Sequence, residues 1–379
     1  MNSFFRLLLS LPVGLTVVVP VTACLWDYDT LTMERQRFPD TLQLVTGQFL
    51  RHTPAFYQWR IEDRLERIKQ QPSPELYDDL AVAYEKTGDV EKAIAITLEK
   101  EKVYPGLYET LANLGTFYIH AGQLEMGVEQ IDLAIALNPD AHFGREVYQR
   151  LLVKYVLAKR SSGRQGLPLD VNRRGWARLS GFAKYLIEAQ SVENDPQQRD
   201  ETLNKALKGI LGMMRFGNYQ SPILLEALGD LLGSLGTEKD AKRLAARAFL
   251  KASYEVKNEG ERAAYRKMAD DSLDMQTVNH ASKDELSLEA LEKKFTEELV
   301  QANQWFESIA DDELAWIKAG LNVDEAFSKK YYRQPALNTS QKFEPTIVMS
   351  GILGLAFLVG LYVISRKRDA AGSSKLGQS

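Results

Sequence analysis

Apolar positions follow three patterns along the chain. Leu7 to Val21 is a mostly apolar run, interrupted by Pro12, Gly14 and Pro20. Through the middle of the chain, apolar residues recur every three or four positions between charges, the spacing of amphipathic helices. This spacing predicts helices near 142–160, 174–190 and 200–215. It predicts another helical region over 284–333, where Leu286, Leu291, Phe295, Leu299, Trp305, Phe306, Ile309, Leu314 and Trp316 form a stripe. Thr346 to Ser365 is uncharged and mostly apolar throughout. Ser73-Pro74 and Ser221-Pro222 each supply an N-cap followed by a first-turn proline. The fold class expected is all-α.

The two end patterns read as membrane signals. Residues 1–23 have a short positive start at Arg6, an apolar core, and the ending Val21-Thr22-Ala23-Cys24. This ending resembles the bacterial lipobox, in which a cysteine is lipidated before cleavage, and Cys24 is the chain's single cysteine. Ordinary cleavage after Ala23 and an uncleaved anchor are the other readings. The run 346–365 is 20 residues long, so at ~1.5 Å per residue a helix there spans about 30 Å, one bilayer core. Arg366-Lys367-Arg368 follows, which places the tail 366–379 in the cytoplasm by the positive-inside rule. The expectation is a single-pass protein of the cytoplasmic membrane, its body outside the cytoplasm.

Composition sharpens this. With 45% hydrophobic residues, 25 Gly and 13 Pro, a chain disordered throughout and a collagen-like one are both excluded. Of the net charge of −4, the tail carries +3 and the leader +1, which leaves −8 on residues 24–365. No basic field asks for nucleic acid.

The body also carries a period. Leu80, Ala81, Tyr84, Gly88 and Pro105 recur 34 residues later as Leu114, Gly115, Tyr118, Gly122 and Pro139. A third copy, at 222–255, matches with Leu225, Leu228, Gly229, Gly236, Ala241 and Ala248. These units resemble the tetratricopeptide repeat (TPR), at 74–107, 108–141 and 222–255. The first departs at its twenty-seventh position, where Lys100 replaces a small residue, and the third has Leu232 for the eleventh-position aromatic. The resemblance implies helix-turn-helix units stacked as a solenoid, with Tyr84 and Tyr118 as wedges between helix pairs. The expected organisation is a membrane-proximal segment at 24–72, a first module at 73–160, and a loop with degenerate helical pairs at 161–220. A third repeat with a following helix then covers 221–283. Residues 284–344 form a capping hairpin or a self-associating stalk, with a linker to the membrane.

The resemblance further implies an inner groove. Its lining positions are Glu75, Asp78, Val82, Glu85 and Lys86 in the first copy, and Glu109, Ala112, Thr116, Ile119 and His120 in the second. In the third they are Ile223, Glu226, Asp230, Gly233 and Ser234. Acids at several of these places favour a basic or apolar protein or peptide segment as ligand. Four scattered histidines and one cysteine give no metal spacing, and no phosphate-binding, dinucleotide or nucleophile motif appears. The expectation is therefore no enzyme, no cofactor, no metal and no small-molecule substrate, but a membrane-anchored scaffold that binds a protein partner. The competing reading is an envelope-assembly subunit that associates mainly through its transmembrane helix, the body serving as spacer.

Overall fold

The computed structural model describes residues 41–139, 144–171, 179–235, 241–273 and 287–332. The leader, Cys24, the span 346–365 and the tail lie outside the described residues. Among those described, no helix is long and apolar enough to cross a membrane.

The described elements are all helical and contain no strand. They are α1 (Thr41–Thr46), α2 (Pro54–Gln70), α3 (Pro74–Lys86), α4 (Val90–Val103), α5 (Tyr108–His120), α6 (Leu124–Leu137) and α7 (Arg145–Ser161). They continue as α8 (Gly181–Gln190), α9 (Pro196–Met213), α10 (Pro222–Ser234), α11 (Ala241–Glu255), α12 (Glu259–Leu273), α13 (Leu288–Lys318) and α14 (Val323–Tyr331). A single π-helical turn, Met214–Asn218, extends α9.

Local chemistry sets the helix ends. Thr53, Ser73 and Ser221 accept from the backbone N–H three residues on, each ahead of a first-turn proline. Gly88 and Gly122 end α3 and α5 at φ +91° and +79°, a conformation only glycine adopts cheaply. At both ends the next residue bonds back across the turn, Asp89 to the Tyr84 carbonyl and Gln123 to that of Tyr118. Helix α5 therefore starts 34 residues after α3, at Tyr108 against Pro74. Helix α6 starts 34 after α4, at Leu124 against Val90.

Neighbouring helices pack in chain order from α2 through α7, and α9 through α12 continue the row, with α8 laid against α7, α9 and α10. Leu80, Ala81, Val82, Ala83, Tyr84, Ala93 and Phe117 make one apolar cluster. Phe117 is fully buried whereas Tyr118 is half-buried, so the aromatic wedge of the second copy is one residue earlier than its period predicts. A larger core takes in Leu44 and Val45 of α1, Phe49, and Ile119 of α5, and runs on from α6 to α13.

Residues 288–331 form a hairpin of unequal arms. Helix α13 has 31 residues, roughly 46 Å long at 1.5 Å per residue. It packs on α11 and α12, then reaches back to α1 and α2. Arg247 and Arg266 hold its first half through Glu298 at 2.8 Å and Glu292 at 2.5 Å. At its far end Glu313 meets His52 at 2.5 Å, and Asp324 on α14 pairs with Arg60 and Arg64 of α2. Of the predicted stripe, Leu291, Phe295 and Ile309 are buried, Leu299, Trp305, Phe306 and Trp316 are half-buried and Leu314 is exposed, while Leu286 lies outside the described residues.

Candidate partner-binding cleft

Most of the predicted groove residues of the first two copies are buried or taken up by partners within the chain. Asp78 is buried and accepts from Lys100 Nζ through both oxygens at 2.7 Å, and from Asn113 at 3.2 Å. Burial pushes its carboxyl up to about 7, with the Lys100 ammonium pulling the other way. Val82, Ala112, Thr116 and Ile119 are buried, and Thr116 accepts from Gln149 on α7. Glu85 and His120 meet across the two copies at 2.7 Å. Burial raises the Glu85 carboxyl, but Lys86 and His120 outweigh it and hold the group below the usual carboxylate range. Glu75 is exposed and Glu109 half-buried.

In the third copy the chain fills its own groove. Glu226 accepts from the backbone N–H groups of Leu169 at 3.0 Å and Asp170 at 3.1 Å, and from the Tyr265 hydroxyl at 2.8 Å. The segment Leu167-Pro168-Leu169 is buried there. Asp230 accepts from Phe182 N at 2.8 Å, so it caps the start of α8 from another helix. Gly181 makes that approach feasible: its φ is +53°, and a Cβ would sit 2.0 Å from the Asp230 carboxylate. Ile223 and Gly233 are buried, and Ser234 donates to the Asp230 carbonyl. A partner reaching Glu226 or Asp230 would have to displace Leu169 and Asp170 or the start of α8 at Phe182.

A concavity of about 480 Å³ opens beside the first copy. Phe49 to His52, between α1 and α2, with Pro54 and Tyr57 of the first turn of α2, form one wall and the π turn with Tyr219 and Gln220 another; Glu85, Lys86 and Gly88 at the end of α3, and Phe306 of α13, complete it. Of the predicted groove residues, Glu85 and Lys86 line it. Pro54, Gly88, Asn218 and Gln220 are exposed at its rim.

Its cations are held without closing the space. Lys86 Nζ donates to the carbonyls of Phe216 at 3.3 Å and Gly217 at 2.5 Å, which ties α3 to the π turn. Arg51 donates to the carbonyls of Gly47 and Phe49, and its guanidinium lies 3.5 Å over the Phe306 ring. Arg215 lies 5.5 Å from the Phe49 ring. Burial lowers both arginines, Arg215 to about 10, with Tyr219 and Tyr332 respectively opposing. Phe49, Tyr57, Phe216, Tyr219 and Phe306 supply the apolar lining.

Arg51, His52, Tyr57, Phe216 and Tyr219 escape sequence reasoning. Thr53-Pro54 repeats the signal of Ser73-Pro74 and marks a helix that the period does not include. Nothing local announces that the π turn meets α3, since Lys86 and Gly217 are 131 residues apart. No family model matches the chain, and no curated protein matches it.

Proposed function

We propose that this protein is a membrane-anchored scaffold of TPR-like helical units, held outside the cytoplasmic membrane by residues 346–365 and by lipid on Cys24, which binds a protein segment rather than catalysing a reaction. The observation that carries the reading is the cleft of about 480 Å³ beside the first copy. Ring-lined concavities with a few placed polar groups are where ligands usually bind. The hairpins repeated at 34 residues support the scaffold, and the apolar run before Arg366-Lys367-Arg368 supports the anchor.

Gln220→Trp, at the exposed rim, would fill the mouth without touching the core. The tagged full-length protein should lose its co-purifying partner with this variant, while a Met126→Trp variant on exposed α6 surface keeps it. Equal recovery from both variants, at unchanged melting temperature, would reject the cleft.

A further inference from the structure

We infer that the cleft takes an acidic segment of a partner protein, with a carboxylate held by Arg51 and Lys86 and a neighbouring side chain laid on Phe49, Tyr219 and Phe306. This rests on the scaffold reading and names its ligand. Four of the six acids that favour a basic ligand on sequence grounds are consumed by the fold, and the other two, Glu75 and Glu109, do not line the cleft. Asp78 is spent on Lys100, Glu85 on His120, Asp230 on the α8 backbone, and Glu226 on a loop and Tyr265. Within the cleft wall the charged residues are Arg51, Lys86, Arg215 and Glu85, so cations outnumber carboxylates there.

Arg51 makes the specific case. Among the described residues its polar contacts are two backbone carbonyls, both made by Nη1, and no carboxylate pairs with it. Stacking on Phe306 fixes the plane of the guanidinium. A planar fork held in this way suits two parallel bonds to a carboxylate. Lys86 Nζ has three N–H bonds, two of which go to carbonyls, with the Glu85 carboxylate 3.9 Å away. Partial burial of these cations means that an incoming anion gains more than it would at an open surface.

The test uses the full-length protein in detergent and a fluorescein-labelled Glu-Glu-Trp-Glu-Glu peptide read by anisotropy. The acidic peptide should bind saturably and weaken as salt rises. Arg51→Gln and Lys86→Gln should each weaken it by about tenfold, the usual scale for losing a hydrogen bond to a charged group. Lys102→Gln, an exposed cation on α4, should leave binding unchanged. Melting curves accompany every variant, and Lys86→Gln carries the test if Arg51→Gln does not fold. The inference is overturned if a Lys-Lys-Trp-Lys-Lys peptide binds as tightly, if wild type and Lys86→Gln bind alike, or if inorganic phosphate competes as well as the acidic peptide. If no acidic peptide binds while the rim variant still loses its partner, the ligand class is wrong and the scaffold reading stands. If the rim variant also keeps its partner, both fall.

Discussion

Asp78 and Lys100 show how two oddities of the sequence explain each other. Asp78 stands at a groove position and Lys100 breaks the small-residue rule at the twenty-seventh. Buried together at 2.7 Å, they form one ion pair between α3 and α4. The period marks each place but not the pairing, because burial of a lysine depends on what faces it. Lys100→Met strands a buried carboxylate and should cost about 3–5 kcal/mol by thermal or chemical unfolding. Adding Asp78→Leu should restore most of the loss, since the partnered charge is then gone as well. Tyr265 gives a second residue-scale expectation. It is fully buried against Glu226, and burial first, then that carboxylate, hold its phenol well above 10. A folded value raised above the unfolded one means the stabilisation is complete below pH ~10 and is lost as pH rises beyond it. Unfolding free energy should therefore fall above about pH 10, and Tyr265→Phe should flatten that fall. A Tyr265→Phe curve with the same alkaline slope as wild type would contradict this.

At the scale of elements, local signals were legible and distant pairings were not. Serine caps, first-turn prolines and the glycines after α3 and α5 act within a few residues, so sequence alone places those helices. The single long helix α13 was legible as an apolar stripe. Its return to α2 was not, because Arg60 and Asp324 are 264 residues apart. The sequence from Ser161 to Arg174 reads as a polar connection, yet Leu167 to Leu169 are buried, since backbone N–H groups there meet the carboxylates of Glu226 and Glu261. Asp324 is the anchor of the hairpin on α2. Asp324→Asn removes the carboxylate that bridges buried Arg60 and Arg64, although Arg64 keeps Asp79 and Asp63, and should cost about 3 kcal/mol, the lower end for removing one partner of a buried pair. Amide exchange should then speed up in α13 and α14 before it does in α10 to α12. Uniform acceleration across all helices would show that the hairpin is not a separate opening unit.

Over the whole molecule, the hairpin joins the two ends of the helical row, α12 to α2, and brings Phe306 to the cleft. The first wall of that cleft comes from Phe49 to His52 with Pro54 and Tyr57, within a stretch whose sequence offers only a cap signal, so the site is a product of closure rather than of the repeat. The proposed anchoring sets the frame in which a partner meets it. In spheroplasts, external protease should digest residues 24–345 and spare a tag placed after Ser379. Loss of the tag would reverse the topology.

The most direct measurement is site-specific photo-crosslinking in intact cells, with the photoreactive residue placed at Gln220 on the cleft rim or at Leu133 on the exposed face of α6. A discrete adduct with one protein should form from Gln220, and none from Leu133, with the crosslinked peptide of the partner rich in Asp and Glu. An adduct that forms equally from Leu133, or that forms only through residues 346–365, would contradict binding in the cleft and make the membrane helix the site of association.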